Sequence, residues 1–194
     1  DDFKLNLFSE EIFVFTPKGE LRSLPVNSTV LDFAYHIHSK LGDTCIGAKV
    51  NHTTVPFNYK LRNGDQVEVL TSAKQKPKEE WLQYVVTAKA KSKIKEALKE
   101  EKKEIIEKGK VILEEKFKQL KIEFNQDNIN RFQSFCNIDN NNELFYQVGN
   151  NTITEKHIKG FISSKIKRKW LKYLTNKITI PKLGKEKQKS TSNT

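Results

Sequence analysis

The side chains with the clearest chemical potential are two histidines, His36 and His38, in the run DFAYHIHSKLG. An imidazole can bind a metal, move a proton or donate a hydrogen bond near neutral pH. Two histidines on one helix share a metal at a spacing of three or four residues, whereas a spacing of two separates them by roughly 200° around the axis. We therefore predict no shared metal ion, with one ring partly buried and the other available.

The two cysteines form no recognisable chemical motif. Cys45 and Cys136 lie far apart and belong to no Cys-x-x-Cys pair, so a reduced cytoplasmic setting is the simplest interpretation. Cys45 falls in a predicted buried strand, which favours an inert thiol over a nucleophile paired with a histidine. The GxSxG and HExxH motifs and a glycine-rich phosphate cradle are absent from the sequence. We predict no catalytic residue, no metal and no cofactor.

The segment Thr16-Pro17-Lys18-Gly19 offers a lysine and backbone amides to a phosphate group. Its spacing differs from that of a P-loop, and proline with a following glycine is typical of a hairpin turn. A turn is therefore the stronger prediction. From position and charge alone, Thr16, Lys18 and Lys49 are weaker candidates for contacts with a nucleic-acid backbone.

Lysines recur every four residues in a predicted helix, at Lys91, Lys95 and Lys99. Like charges at this spacing share one face and repel each other unless an anion neutralises them. The stripe is consistent with phosphate binding, and an ordinary solvated helix face is the alternative.

The net charge of +11 is concentrated near the end of the chain, where residues 156–194 hold twelve Lys and Arg against one Glu. A basic helix predicted over residues 165–174 interleaves cations with aromatic rings that could stack on bases, among them Lys167, Arg168 and Trp170. Such a segment suits a polyanion such as RNA or an anionic membrane surface. An amphipathic or solubilising linker is the alternative.

The elements that must position these residues begin with a hairpin. The strands predicted over Ile12–Phe15 and Glu20–Leu24 flank the Pro-Gly turn. A helix follows, because Thr29 and Asp32 fit a capping box and Gly42 occupies a C-cap position. Its apolar stripe, predicted to be buried, comprises Val30, Phe33, Ala34, Ile37 and Leu41.

Further strands complete a small mixed sheet. They are predicted over Cys45–Val50 and Gln66–Leu70, with an irregular edge stretch over Val55–Leu61 that contains a proline. One helix laid over such a sheet is the β-grasp (ubiquitin-like) architecture, which we assign to residues 11–72.

The rest of the chain is predicted to be helical, which gives an α+β protein. Residues 1–10 are a lead-in, residues 73–80 a linker, and residues 81–162 a small all-α domain with a helix break at Gly109. Residues 163–194 are predicted to form the basic helix and a disordered tail. No apolar run approaches the roughly 18 residues of a membrane helix, and no signal peptide is recognisable. The first residue, Asp1, suggests a piece of a longer protein.

Several segments together resemble the RelA/SpoT family, whose members handle the alarmone (p)ppGpp. They are IFVFTPKGEL, LPVNSTVLDFAYHIHSKLG, CIGAKVN, VPFNYKLRNGDQVEVLTS and AKAKSKI. The resemblance spans residues 8–120 and identifies the β-grasp part as a TGS domain and the next part as the family's helical domain. The segments DFAYHIHS and CIGAKVN distinguish this family from the related TGS domains of threonyl-tRNA synthetases and GTPases. The hydrolase and synthetase domains of the family do not occur in this sequence.

The resemblance implies a regulatory role in the stringent response without synthetase activity of its own. In this family the TGS domain contacts the 3′ CCA end of uncharged tRNA on the ribosome, and the helical domain lies against ribosomal RNA. His38 matches the histidine at the tRNA end, with His36 as second choice. The lysine stripe then fits contact with ribosomal RNA.

Two other functions stay open. In SpoT-like members the TGS domain also binds acyl carrier protein, so the chain can instead be a docking module for that protein or for the enzyme's own catalytic domains. Residues 11–72 carry six acidic and six basic residues, and this balance favours protein docking over RNA binding. A TGS appendage of another RNA-linked enzyme is the third and weakest hypothesis.

Overall fold

The computed structural model describes residues 11–164, and the chain divides into two compact units between Glu104 and Ile105. All the strands found in residues 11–164 belong to the first unit, which is described first. The predictions for residues 1–10 and 165–194 lie outside the described residues.

The first unit contains two small sheets, where the sequence predicted one mixed sheet. Strands β1 (Glu11–Phe15) and β2 (Leu21–Pro25) make an antiparallel hairpin. Strand β3 (Cys45–Val50) lies between β4 (Thr53–Pro56) and β5 (Val67–Thr71), antiparallel to both. A parallel bridge from Phe15 to Gln66 joins the two sheets. The predicted β-grasp architecture is confirmed, although the stretch predicted over Val55–Leu61 is a strand only as far as Pro56.

Helix α1 (Val30–Ile37) begins at the predicted capping box. The Asp32 amide donates to Thr29 Oγ1, and the Thr29 amide donates to Asp32 Oδ2 at 2.9 Å. The amides of Val30 and Leu31 donate to two carbonyl groups of the segment after β4, at 3.0 Å each. The amino end of α1 is therefore fully satisfied from within the domain.

The prediction of one helix through Leu41 is wrong at His38. His38 is extended (φ −159°, ψ 140°), and a second short helix, α2 (Ser39–Asp43), begins directly after it. Gly42 is not the C-cap but a buried residue within α2. Glycine is required at this position because a side chain would collide with the ring of Tyr35. The far end of the apolar stripe is also less buried than predicted, since Ile37 is 36% exposed.

The core of the first unit extends beyond residue 80. Trp81, in a 3-10 helix over Glu79–Gln83, and Val85 are buried in the same cluster as Phe33 and Tyr35 of α1. Ala90 and Ile94, at the start of helix α3 (Ala88–Gln119), also belong to this cluster. The chain from 81 to 94 thus packs with the β-grasp domain, whereas the sequence placed the start of the helical domain at residue 81.

Gly109 does not break a helix, contrary to the prediction, because α3 is continuous over 32 residues. The glycine allows close packing instead: a side chain there would collide with the carbonyl group of Phe145 on helix α5 (Asn141–Gly149). Helix α4 (Gln126–Cys136) and a helical segment over residues 155–164 complete the second unit. Its core is rich in phenylalanine, with Phe117, Phe132 and Phe161 in mutual ring contact. Of the helices in residues 11–164, none combines the length and the apolar character needed to cross a membrane.

Candidate nucleic-acid interface

His38 lies at the junction of α1 and α2 and serves both helices. Its backbone amide donates to the Ala34 carbonyl at 3.1 Å, which closes α1. Its ring Nδ1 accepts the Lys40 amide at 3.2 Å, which caps α2. Because Nδ1 is an acceptor, the neutral ring carries its proton on Nε2, and the exposed side chain offers one hydrogen-bond donor.

His36 occupies a different environment from His38. It is half-buried near the carboxyl end of α1, and burial is the main cause that lowers the pKa of its ring, followed by the positive charges of Lys89 and Arg22. The ring is therefore neutral at neutral pH. Its carbonyl oxygen accepts a hydrogen bond from Lys89 Nζ at 2.9 Å. The two histidines do not share one helix, contrary to the prediction, because α1 ends at Ile37, between them. Within residues 11–164, no group of three or more His, Cys, Asp and Glu side chains could hold a metal ion.

A groove of about 350 Å³ opens between the carboxyl end of α1, the hairpin turn and β5. Its floor is apolar and its rim is charged. The floor is formed by Phe33, Ile37, Leu41, Val67 and Val69, and the rim by Thr16, Pro17, Lys18, Glu20, Arg22 and Glu68. The end of the predicted apolar stripe is exposed because Ile37 lines this open groove.

Two predicted backbone contacts, Thr16 and Lys18, lie on the rim of this groove. Thr16 is used by the hairpin turn: its amide donates to the Glu20 carbonyl at 2.9 Å, and its Oγ1 accepts the Glu20 amide at 3.2 Å. Gly19 has a positive φ of 81°, as the predicted turn requires. Lys18 is exposed and is the better of the two for contact with a phosphate.

Lys49 belongs to a second, smaller groove of about 180 Å³, together with His52 and Gln66. The Lys49 ammonium lies 3.8 Å from Glu68, and both side chains are about half exposed. The two grooves share Pro17 and Glu68. Thr16 and Lys18 are thus brought together by the structure, while Lys49 faces the neighbouring groove.

Lys91, Lys95 and Lys99 are exposed along one face of α3, as the spacing predicted. Within the described part of the chain, none of the three forms an ion pair, whereas Lys93 on the same helix pairs with Glu96 at 2.7 Å. The three ammonium groups are therefore not neutralised by a carboxylate of the described residues. Lys167, Arg168 and Trp170 lie outside the described residues.

The structure singles out two cations that sequence reasoning did not select. Arg22 lies on the rim of the larger groove, and Lys89 contacts the end of α1. Lys89 belonged to a lysine-rich run, but nothing in its spacing distinguished it from its neighbours. Cys45 is fully buried, and burial raises the pKa of its thiol to about 11, so it is not a nucleophile at neutral pH.

Two known domain families each match one part of the described chain. Residues 12–71 match the family model of the TGS domain. Residues 97–161 match that of the RelA/SpoT AH domain. The first range coincides with the two sheets and α1–α2, and the second begins within α3.

Similar proteins include a GTP pyrophosphokinase of Myxococcus xanthus, 46% identical over 63% of this chain and 16% of the relative. A guanosine-3′,5′-bis(diphosphate) 3′-pyrophosphohydrolase of Aquifex aeolicus is 42% identical over 81% of this chain and 23% of the relative. The GTP pyrophosphokinase of Escherichia coli K12 is 35% identical over 87% of this chain and 23% of the relative. The chain thus spans about a fifth of these relatives.

The order of strands and helices, the confirmed capping box and both family matches agree on one assignment. The TGS domain carries the histidine junction and the two grooves, and the AH match begins beside the lysine stripe. This chain belongs to the RelA/SpoT family, with a TGS domain followed by an AH domain.

Proposed function

We propose that this TGS–AH region senses deacylated tRNA on the ribosome and regulates a (p)ppGpp synthetase/hydrolase. The observation that carries the proposal is the position of His38: an exposed imidazole at a helix junction, with Nδ1 engaged by the Lys40 amide. This arrangement fixes the tautomer and leaves Nε2–H to meet an acceptor on a ligand.

The chemistry suits the end of a tRNA. The Nε2–H of His38 donates to the terminal adenosine or to an oxygen of its ribose. A free terminal hydroxyl fits closely beside the ring, whereas an esterified amino acid is excluded by its bulk, so discrimination arises from a clash. The satisfied amino end of α1 leaves no amides for phosphate there, which supports His38 at the opposite end as the point of recognition.

The activity that this region regulates follows from the family. Relatives named GTP pyrophosphokinase and guanosine-3′,5′-bis(diphosphate) 3′-pyrophosphohydrolase contain a similar region within a much longer chain. We assign the same context to this chain: TGS and AH domains that control synthesis or hydrolysis carried out elsewhere in the protein, in the cytoplasm.

Binding to tRNA with and without an esterified amino acid tests the proposal. His38→Asn is the sharpest variant, because asparagine is a good N-cap for α2 but lacks the Nε2–H donor. His52→Asn is the matched control, since His52 is an exposed histidine of the same domain and its positive φ of 70° suits asparagine.

The wild-type protein should prefer deacylated tRNA, and His38→Asn should weaken that preference about tenfold, the effect of losing one hydrogen bond of about 1.4 kcal/mol. His52→Asn should leave it unchanged. Equal binding of both tRNA forms by the wild-type protein would refute the proposal.

The lysine stripe supplies the second part of the proposal, a contact of α3 with ribosomal RNA. Replacing Lys91, Lys95 and Lys99 with glutamine should lower the slope of log affinity against log salt by about 2 to 3, since each phosphate contact contributes about 0.7 to 0.9. The preference for deacylated tRNA should persist. An unchanged slope would assign the stripe to a solvated helix face.

The larger groove favours a second candidate function, docking of acyl carrier protein or of the enzyme's own catalytic domains. An apolar floor with a rim of mixed charge is typical of protein-binding sites. Ile37→Asp places a charge on this floor and should abolish such binding. Ile46→Asp is the control, because Ile46 is similarly exposed on β3 but does not line the groove. If both variants bind these partners as the wild-type protein does, the groove is not the docking site.

A further inference from the structure

Both ends of α1 are held by residues at the start of α3. At the amino end, the Asp32 carboxylate is fully buried and accepts the Thr87 amide at 2.9 Å, the Thr87 hydroxyl at 2.7 Å and the Val86 amide at 3.2 Å. At the carboxyl end, Lys89 Nζ donates to the His36 carbonyl at 2.9 Å. An eight-residue helix is thus connected at each end to one short segment, residues 86–89.

The contact at the carboxyl end matters because α1 ends there without a glycine in the left-handed conformation, and only the Ala34 carbonyl is bonded by the His38 amide. His38 turns away into an extended conformation, so the last carbonyl groups of α1 have lost the amides that a continuing helix would supply. Lys89 satisfies one of them, and its positive charge lies at the negative end of the helix. The bonded carbonyl belongs to the residue two positions before His38, so the contact fixes the backbone from which the imidazole projects.

We infer that Lys89 is a positioning residue for His38: its bond to the His36 carbonyl maintains the break between α1 and α2 and thereby the orientation of the imidazole. This inference rests on the proposed function insofar as the oriented ring is the one that meets tRNA. The same contact couples the start of α3 to the junction of α1 and α2, because a ligand that moves the His36 peptide must lengthen or break the hydrogen bond from Lys89.

The test compares Lys89→Gln with Lys108→Gln, which removes the same charge from an exposed position farther along the same helix. The first readout needs no RNA. The nitrogen chemical shifts of the His38 ring report its tautomer, and hydrogen exchange of the Lys40 amide reports the bond to Nδ1. Lys89→Gln should raise exchange at Lys40 about fivefold and reduce the Nε2–H tautomer, while amides in β3 remain as protected as in the wild-type protein.

Lys108→Gln should leave both signals unchanged, and Lys89→Arg should restore them, because arginine can donate to the same carbonyl. The second readout is the ratio of affinities for deacylated and aminoacylated tRNA, which Lys89→Gln should reduce several-fold and Lys89→Arg should restore. Unchanged ring shifts and Lys40 exchange in Lys89→Gln would overturn the inference.

The two proposals fail in different ways. If the wild-type protein does not distinguish the two tRNA forms, the proposed function is wrong, yet the spectra of Lys89→Gln still decide whether Lys89 positions His38. If the ring of His38 changes in Lys89→Gln while the tRNA preference does not, the ring's orientation has no role in recognition and the inference fails in its functional part.

Discussion

Within residues 11–104, the interior of the first unit contains four buried polar side chains, whereas within residues 105–164 that of the second contains none. The four are Ser28, Thr29, Asp32 and Asp65. Asp32 connects α1 to the chain before α3, and Asp65 connects the β3–β4 turn to the chain before β5 through Asn51 and the Arg62 amide, at 2.8 Å each. The second unit is instead filled by aromatic and aliphatic groups, with ring centroids of Phe132 and Phe161 5.2 Å apart.

The difference shows which unit can hold an exposed side chain in one fixed orientation. Hydrogen bonds to a buried carboxylate require defined donor positions, so they fix the backbone of α1 and the exposed histidine at its end. Contacts between apolar groups are non-directional and fix the spacing of helices more than the orientation of any one group. This contrast supports the proposal of stereospecific recognition by the TGS domain and of charge-based contact by α3.

The largest effect is expected for Asp32→Asn. The amide keeps the shape of the carboxylate but turns one acceptor into a donor that faces the amides and hydroxyls now bonded to Asp32. We expect the free energy of unfolding of the first unit to fall by about 3 kcal/mol. Trp81 fluorescence during urea unfolding, in a Trp170→Phe background, measures this unit because Trp81 is buried in its core.

The control for this change is Asp127→Asn in the second unit. Asp127 is exposed and pairs with Arg131 at 2.9 Å. Loss of this ion pair should lower the free energy of unfolding by less than about 1 kcal/mol. Equal costs for the two substitutions would contradict the contrast between a polar and an apolar interior.

An intermediate effect is expected for Gly109→Ala, which tests the packing of the second unit. The added methyl group meets the Phe145 carbonyl and the Gly149 amide, which are backbone atoms that cannot rotate away. We expect the free energy of unfolding of the second unit to fall by about 2 kcal/mol, net of a small gain from the better helix propensity of alanine. Hydrogen exchange of the amides in α5 measures this change in stability.

Gly160→Ala is the matched substitution in the same unit. There the methyl group meets only the ring edge of Phe135, at 3.3 Å, and this ring is 39% exposed and can move. The helix propensity gain should then dominate and leave the unit unchanged or slightly more stable. A larger loss for Gly160→Ala than for Gly109→Ala would show that the side chains, and not the helix backbones, limit the packing.

The smallest effect is a dependence of the first unit's stability on pH that arises from His36. Burial and the nearby charges of Lys89 and Arg22 lower the pKa of His36 in the folded state below its ordinary value of 6.5. As pH falls through that value, the unfolded chain binds a proton that the folded chain does not, so stability decreases and levels off below the folded pKa. His36→Gln should therefore lose less stability than the wild-type protein between about pH 8 and pH 5.5 in Trp81-monitored unfolding. An identical pH profile for the two proteins would refute the assignment.

The sequence predicted the β-grasp domain well because its signals are local. The Pro-Gly turn, the capping box of Thr29 and Asp32, and the alternation along β5 each specify an element without help from distant residues. The exposed lysine stripe was also predictable, since a spacing of four residues fixes a shared face once the segment is helical.

The errors occur where a distant group replaces a local one. Gly109 resembles a helix breaker in sequence, yet the close approach of α5 makes glycine necessary inside a continuous helix. Nothing local to His38 ends a helix, since neither proline nor glycine precedes it. Two hydrogen bonds stabilise the break: the Lys40 amide donates to the His38 ring, and Lys89 Nζ donates to the His36 carbonyl. The second bond joins residues 53 positions apart.

The sequence by itself determined the family, the β-grasp architecture, the amino end of α1 and the charge along the face of α3. These depend on residue types and spacings whose physical effect acts over one or two turns of chain. Only the tertiary structure decided that α1 ends at His38, that an apolar groove is left open beside Ile37, and that Lys89 rather than any neighbouring lysine contacts the junction. Those features depend on which groups meet across the fold. The sequence around a lysine or a glycine does not indicate which distant group that residue will contact.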